Sequence, residues 1–278
     1  ELEGFRDAML DLCIKIDFSD FNTIDIVGTG GDGKDTFNIS TLASFVTAGA
    51  GIKVAKHGNY GVSSSCGSSN VLEYLKIPFT NEESKLNNML DKAGFCMLHA
   101  PLFHPAMKNV APIRKEMQVR TFFNILGPLV NPSFPKNQLL GVFNLELARL
   151  YGYLHQNTTK NYAIVHALDG YDEISLTNAT KVISNKGEHL LKPQHFGFAQ
   201  SKQSELFGGA SVEASAKIFV DILEGKGTNA QNNAILANAG LAIQTVNPQL
   251  SLQDAIGQAT DSLQSGKALK VLTTLQAL

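Results

Sequence analysis

Thr23-Ile24-Asp25-Ile26-Val27-Gly28-Thr29-Gly30-Gly31-Asp32-Gly33 is the stretch that decides the fold. Its first five residues read as a short buried strand, the glycines as a turn, and residues 41–50 as a helix. Four glycines in six residues permit positive φ and let backbone N–H groups approach an anion, so phosphate is the natural guest. Side chains of Asn38-Ile39-Ser40-Thr41 can cap the orphan N–H groups of the helix or donate to the same anion. A tight turn with an ordinary cap is the alternative when the loop is taken alone.

Working outward, Leu2, Phe5, Met9, Leu12, Cys13 and Ile16 fall at helical spacing. Residues 53–55 read as a second strand that ends in the polar run 56–65, and 70–75 as a helix. Further strands are expected at 95–98, 138–142 and 162–166, with a helix at 145–155. Residues 212–278 are helical in pattern, punctuated by Gly225-Lys226-Gly227 and Asn247-Pro248. Such alternation predicts an α/β fold: a large domain with a mostly parallel sheet covered by helices.

The 278 residues carry 23 basic and 25 acidic side chains, a net charge of −2. No global field draws such a chain to nucleic acid or an anionic membrane, so any phosphate site must be local. Three widely spaced cysteines without CxxC or Cys/His clustering argue against a disulfide framework or zinc site and favour the cytoplasm. No apolar run reaches the roughly 18–20 residues that span a bilayer. The chain begins at Glu1, inside what reads as a helix, and an N-terminal truncation is expected.

Several further stretches carry chemistry. Lys56-His57-Gly58-Asn59 and the hydroxyl-rich Ser63-Ser64-Ser65-Cys66-Gly67-Ser68-Ser69 lie where a second strand-end loop should face the first, and they suit a polyanion. The bland reading makes the serines turn and cap residues and His57 a packed imidazole. His104-Pro105-Ala106-Met107-Lys108 and Arg114-Lys115 read as one helical stretch bent at Pro112; Arg114 can fork onto a carboxylate, or the face is simply solvated. Asp169-Gly170-Tyr171-Asp172-Glu173 follows a strand, and adjacent carboxylates there suit Mg²⁺ shared with a substrate phosphate, or form a polar turn.

These motifs, with Arg120-Thr121 and Asn124-Ile125-Leu126-Gly127-Pro128-Leu129, together resemble the anthranilate phosphoribosyltransferase family. The resemblance spans residues 28–173. It implies transfer of the 5-phosphoribosyl group from phosphoribosyl diphosphate to anthranilate in tryptophan biosynthesis, by a homodimer with a substrate cleft between two domains. Residues 1–22 would then be the remnant of a small helical domain and 23–278 the large α/β domain, with helices near 104–126 contributing to the small domain or hinge. The same resemblance implies that Gly28, Gly31, Asp32, Thr36, Asn38, Ile39, Ser40, Thr41, Lys56, His57, Gly58, Asn59, Ser63, Ser64 and Ser68 hold phosphoribosyl diphosphate. It gives Gly28, Asn59 and Arg114 to anthranilate, with His57, His104 and Pro128 nearby, and Ser40, Asp172 and Glu173 to Mg²⁺. No activated nucleophile is implied; catalysis is expected to be electrostatic and positional. Two positions depart from the pattern, with Tyr60 where many members carry Arg and Asn70 where many carry Asp. A pyrimidine nucleoside phosphorylase and a nucleic-acid-binding relative on the same scaffold are the competing readings. His104 to Arg114 and the 124–129 motif favour the transferase over the first, and the near-neutral charge speaks against the second.

Overall fold

The computed structural model describes residues 1–61, 66–107 and 123–278. The chain runs α1 (Leu2–Leu12), β1 (Thr23–Gly28), α2 (Ile39–Gly49), β2 (Lys53–Gly58), α3 (Ser68–Tyr74), α4 (Glu83–Ala93), β3 (Phe95–His99) and α5 (Ala100–Phe103). It continues through α6 (Phe123–Leu126), β4 (Asn137–Gly141), α7 (Leu145–His155), β5 (Asn161–Ala167), β6 (Thr180–Ser184) and β7 (Gly187–Leu191). Four helices close it: α8 (Val212–Leu223), α9 (Asn229–Val246), α10 (Leu252–Gln264) and α11 (Lys267–Gln276).

The seven strands form one sheet in the order β3-β2-β1-β4-β5-β6-β7. Pairings from β3 across to β5 are parallel, and β5-β6 and β6-β7 are antiparallel. All five expected strands are present, and the helix at Leu145–His155 has the expected bounds. The β6–β7 hairpin was not anticipated. Four of the five β7 residues are exposed, so Gly-Glu-His-Leu-Leu shows none of the alternation that betrays a half-buried strand.

Two expectations are corrected. β2 does not end at residue 55 but runs to Gly58, because the Lys56 and His57 side chains bury instead of facing solvent. His104 is not inside a helix: α5 stops at Phe103 and His104 has φ −116°, as suits a residue that precedes Pro105. Of the stretch expected to continue through Arg114, residues 108–122 lie outside the described part.

The core lies between the sheet and a helical layer in which α9 is central. Ala234, Ala237, Ala239 and Ala242 are buried on α9, and their small side chains let neighbouring helices approach closely. A Cβ at Gly240 would come within 3.1 Å of Ile256 Cα on α10. Ser262 on α10 donates to Val46 O of α2 at 2.7 Å, which fixes the two helices in register.

The chain passes from β1 to β2 and β3 on one side, then returns to β4 on the other side of β1. This reversal makes the β1/β4 edge the topological switch point, where open α/β sheets leave a crevice at the strand carboxyl ends. Both strands finish there in glycine, with Gly28 opposite Gly141. The segment containing Asp172 lies directly above them: a Cβ at Gly141 would stand 2.8 Å from the Asp172 carbonyl carbon, and one at Gly28 would be 3.1 Å from its Cγ. Gly141→Ala should therefore destabilise the fold by about 1–3 kcal/mol, as overpacking against backbone does. An unchanged urea midpoint would show that this approach is looser than described.

Candidate active site

The first loop owes its path to three glycines with left-handed backbone, Gly30, Gly31 and Gly33. Its amides turn inward, and Gly30 N–H donates to Asp172 Oδ2 at 2.7 Å. Asn38 precedes α2 but makes no side-chain cap; its Nδ2 instead donates to Cys66 O at 3.0 Å, tying the first loop to the second. The cap comes from a distant part of the chain. Glu173 Oε1 accepts from Ser40 N–H at 3.0 Å, and Glu173 Oε2 lies 3.4 Å from Thr36 Oγ1. A carboxylate at a helix N-terminus is favoured by the helix dipole.

Asp172 and Glu173 are held in place by the residue after them. Asn238, buried on α9, accepts from Ile174 N–H at 3.1 Å and donates to Ile174 O at 2.9 Å. Both carboxyls are nearly inaccessible. Burial, followed by repulsion from Asp32, raises the Asp172 pKa to about 7. Burial, then Asp172 and Asp32, pushes Glu173 well above the ordinary range. Lys56 offsets part of this charge from within the sheet. Its Nζ donates to Ile26 O and lies 3.5 Å from Ser40 Oγ. Burial lowers its pKa to about 8, against the pull of Asp25, Glu173 and Asp172.

The second loop starts at Gly58, where a Cβ would come within 2.8 Å of Met97 Cε. Asn59 O accepts from Ser69 N–H at 3.1 Å and Ser68 Oγ at 3.3 Å, which seats the start of α3 beneath the loop. Asn70 Oδ1 accepts from Gly61 N–H at 2.9 Å and Gly67 N–H at 3.0 Å, so the neutral amide supplies the acceptor that this turn needs. Tyr60 packs edge-on to His99, 4.9 Å between centroids, and its hydroxyl donates to Glu73 at 3.2 Å.

On the far side of β2, His57 and His104 pack edge to face at 5.1 Å. His57 Nδ1 is bonded to Gly127 O at 3.1 Å, beside buried Pro128. Burial, then His104, brings the His57 pKa down to about 3, and burial brings His104 to about 4, so both rings are neutral near pH 7. Among the described residues, His57 Nε2 has no hydrogen-bond partner.

The structure thus gathers Asp32, Thr36, Ser40, Lys56, Asp172 and Glu173 about the Gly28–Gly33 loop, and Asn38 ties that loop to the second, which carries Gly58, Asn59 and Ser68. Ile39 and Thr41 are buried in α2, so Ile39 can offer a ligand only its main chain. Ser63, Ser64 and Arg114 lie outside the described residues. Asp25, Asn131, Gly141 and Asn238 had no motif to announce them. For Asn238, an amide set among buried alanines was the available signal.

Residues 20–269 match the model of a glycosyl transferase family, a/b domain. The chain is 66% identical over 278 residues to an anthranilate phosphoribosyltransferase of Flavobacterium psychrophilum, covering 100% of this chain and 84% of the relative. The chain belongs to the anthranilate phosphoribosyltransferase family. A relative in Bacteroides thetaiotaomicron is 52% identical over 98% of this chain and 82% of its own length. Among solved structures, the anthranilate phosphoribosyltransferase of Thermus thermophilus superposes with a TM-score of 0.93 at 34% identity, covering 99% of this chain and 83% of that one. The Saccharomyces cerevisiae enzyme in complex with PRPP and Mg gives a TM-score of 0.91 at 29% identity, covering 100% and 80%. Membership makes the protein a transferase of the glycosyl class, and the mostly parallel α/β sheet is the family's fold.

The raised pKa values of this anthranilate phosphoribosyltransferase family member carry a sign that can be tested. Folded Asp172 and Glu173 bind protons more readily than the unfolded chain does, so stability falls as pH rises from the ordinary Asp value of 3.8 through about 7. With a chelator present, Asp172→Asn should melt several degrees above wild type at pH 8, and the advantage should shrink as pH is lowered toward 4. A lower melting temperature at pH 8 would mean that Asp172 is not under charge strain.

Proposed function

We propose that the protein transfers the 5-phosphoribosyl group of phosphoribosyl diphosphate to anthranilate, giving N-(5-phosphoribosyl)anthranilate and diphosphate in tryptophan biosynthesis. The observation that carries this reading is the buried Asp172–Glu173 pair, fastened to the amides of a glycine loop and a helix N-terminus at the switch point of the sheet. That arrangement suits a polyanion bound with a hard cation.

The donor set fits Mg²⁺. Asp172 and Glu173 repel each other and Asp32, and a divalent cation relieves that repulsion. Among the described residues no three carboxylate, imidazole or thiol groups converge to cage an ion alone. This agrees with an ion that takes the rest of its oxygens from water and diphosphate. Ser40, Asp172 and Glu173 are the residues to hold it. When bound, Mg²⁺ would neutralise charge on the departing diphosphate.

The chain's own groups divide the remaining work. Amides of Gly31 and Asp32 and the hydroxyls of Thr36 and Ser40 cradle phosphate, with Lys56 acting through Ser40. Asn59 and Ser68 meet it from the second loop, and Ser63 and Ser64 are assigned to the donor by the family resemblance. Neutral His57 and His104, with Pro128, offer a weakly polar wall to the aromatic acceptor, and Arg114 pairs with its carboxylate. The amine lone pair forms the new bond to the anomeric carbon while the bond to diphosphate breaks, its electrons leaving with the oxygen and the amine proton passing to solvent. Orientation and charge stabilisation suffice; no covalent intermediate is needed.

In this reading residues 1–22 are the remnant of the small domain and 23–278 form the large domain, with the stretch 104–126 contributing to the small domain or hinge, and the protein is a cytoplasmic homodimer. No helix of the described residues is long and apolar enough to cross a membrane.

An assay with both substrates and Mg²⁺ tests the activity, and Asp172→Asn with Glu173→Gln should abolish turnover. Full activity of that double variant at limiting Mg²⁺ would remove the pair from the metal site. Arg114→Ala should weaken anthranilate about 10- to 100-fold with little change for the donor, as loss of a charged hydrogen bond does. The opposite pattern would move Arg114 to the phosphate site.

A further inference from the structure

Strands β1 and β2 part company halfway along. Their pairing covers only Thr23↔Lys53 and Ile24↔Val54. Yet β1 stays paired with β4 as far as Gly28↔Gly141, and β2 with β3 as far as Gly58↔His99. Main-chain polar groups facing the gap between β1 and β2 must therefore find other partners.

Alternation along the strands shows which groups these are. Val54 N–H bonds to Gly94 O before β3, so Ala55 and His57 turn their polar groups toward β1. Thr29 N–H bonds to Gly141 O of β4, so Ile26 turns its own toward β2. Three of these groups are met by side chains. Asp25 Oδ1 accepts from His57 N–H at 3.1 Å, Asn131 Nδ2 donates to Ala55 O at 2.9 Å, and Lys56 Nζ donates to Ile26 O.

Three side chains thus replace the missing rungs and set how far apart the strands stand. Asp25 is the member that reaches the end of β2: it is fully buried and holds the backbone of His57, one residue before Gly58 opens the second loop. The first loop leaves β1 at Gly28. The separation of the two loops therefore passes through the length of the Asp25 side chain.

We propose that Asp25 is a positioning residue whose carboxylate, acting as a spacer of fixed length between β1 and the His57 amide, sets the distance between the two loops that close on phosphoribosyl diphosphate. The donor spans both loops, so its affinity depends on that distance; the acceptor, beside His57, shares any shift of the same strand end. The inference rests on the substrate reading above.

Two variants separate length from charge. Asp25→Asn keeps the length and the acceptor but loses the charge; Asp25→Glu keeps the charge but adds a methylene. Asp25→Asn should keep the donor KM within about threefold of wild type, and Asp25→Glu should raise it about tenfold or more, the scale of one hydrogen bond to a charged group. Amide exchange of His57 gives a second readout that needs no substrate. It should stay slow in wild type and Asp25→Asn and become at least about tenfold faster in Asp25→Glu. If the longer side chain prevents folding, Asp25→Ala replaces it in the same comparison. A donor KM spoiled equally by Asn and Glu, or restored by Glu and not by Asn, overturns the spacer role, as does a lowered melting temperature with both KM values unchanged. Inactivity of the wild type with these substrates would instead refute the functional reading, while the exchange rates would still decide whether Asp25 braces His57.

Discussion

Asp172 is seated where two paired glycines, Gly28 and Gly141, leave room for it above the ends of β1 and β4. Burying a carboxylate away from water is costly unless hydrogen bonds and charge partners compensate. For Asp172 compensation comes from the Gly30 amide, and for its neighbour Glu173 from the Ser40 amide in the first turn of α2 and from Lys56, while Asn238 clips the main chain of Ile174 beside them. The site is therefore assembled only when β1, α2, β2 and α9 are packed together. Folding and site formation are one event on this account.

Compensation is incomplete, and the shortfall is informative. Asp172 and Glu173 keep raised pKa values despite their hydrogen bonds, because burial, and after it the repulsion among Asp172, Glu173 and Asp32, outweighs them. Groups retained against stability in a crevice mark a functional site more reliably than a stretch of neutral polar residues does. The His57–His104 pair shows the reverse design. Its burial keeps the rings uncharged, so the wall they form does not compete for the negative charge gathered across β2.

Much of this was legible in sequence because local rules express it. Apolar runs bounded by glycine marked the parallel strands, helical spacing marked α7, and the sequence of motifs pointed to the family. What escaped depends on tertiary context. Lys56 reads as a loop cation, yet the gap between β1 and β2 gives its ammonium a carbonyl to bond and draws it inside. Asn38 reads as a cap for α2, yet Glu173, more than a hundred residues away, takes that place. Asp25 and Asn131 have ordinary neighbours in sequence, and only the missing rungs of the sheet give them work.

The departures at Asn70 and Tyr60 fit the same division between charge and shape. At the turn before α3 two amides, Gly61 N–H and Gly67 N–H, converge on a single oxygen, and a carbonyl oxygen accepts both as well as a carboxylate does. Charge is not what that turn requires, so Asn can stand for Asp without leaving a donor unpaired. Tyr60 likewise anchors its end of the loop by packing, stacked edge-on against His99, which is itself stacked on Phe79 and bonded to Ser69. The first loop has no such freedom in the proposed reading, because Asp172 and Glu173, which hold it, could not become amides and still gather a cation. The second loop can therefore drift in sequence while its geometry persists, and the first is bound to its carboxylates.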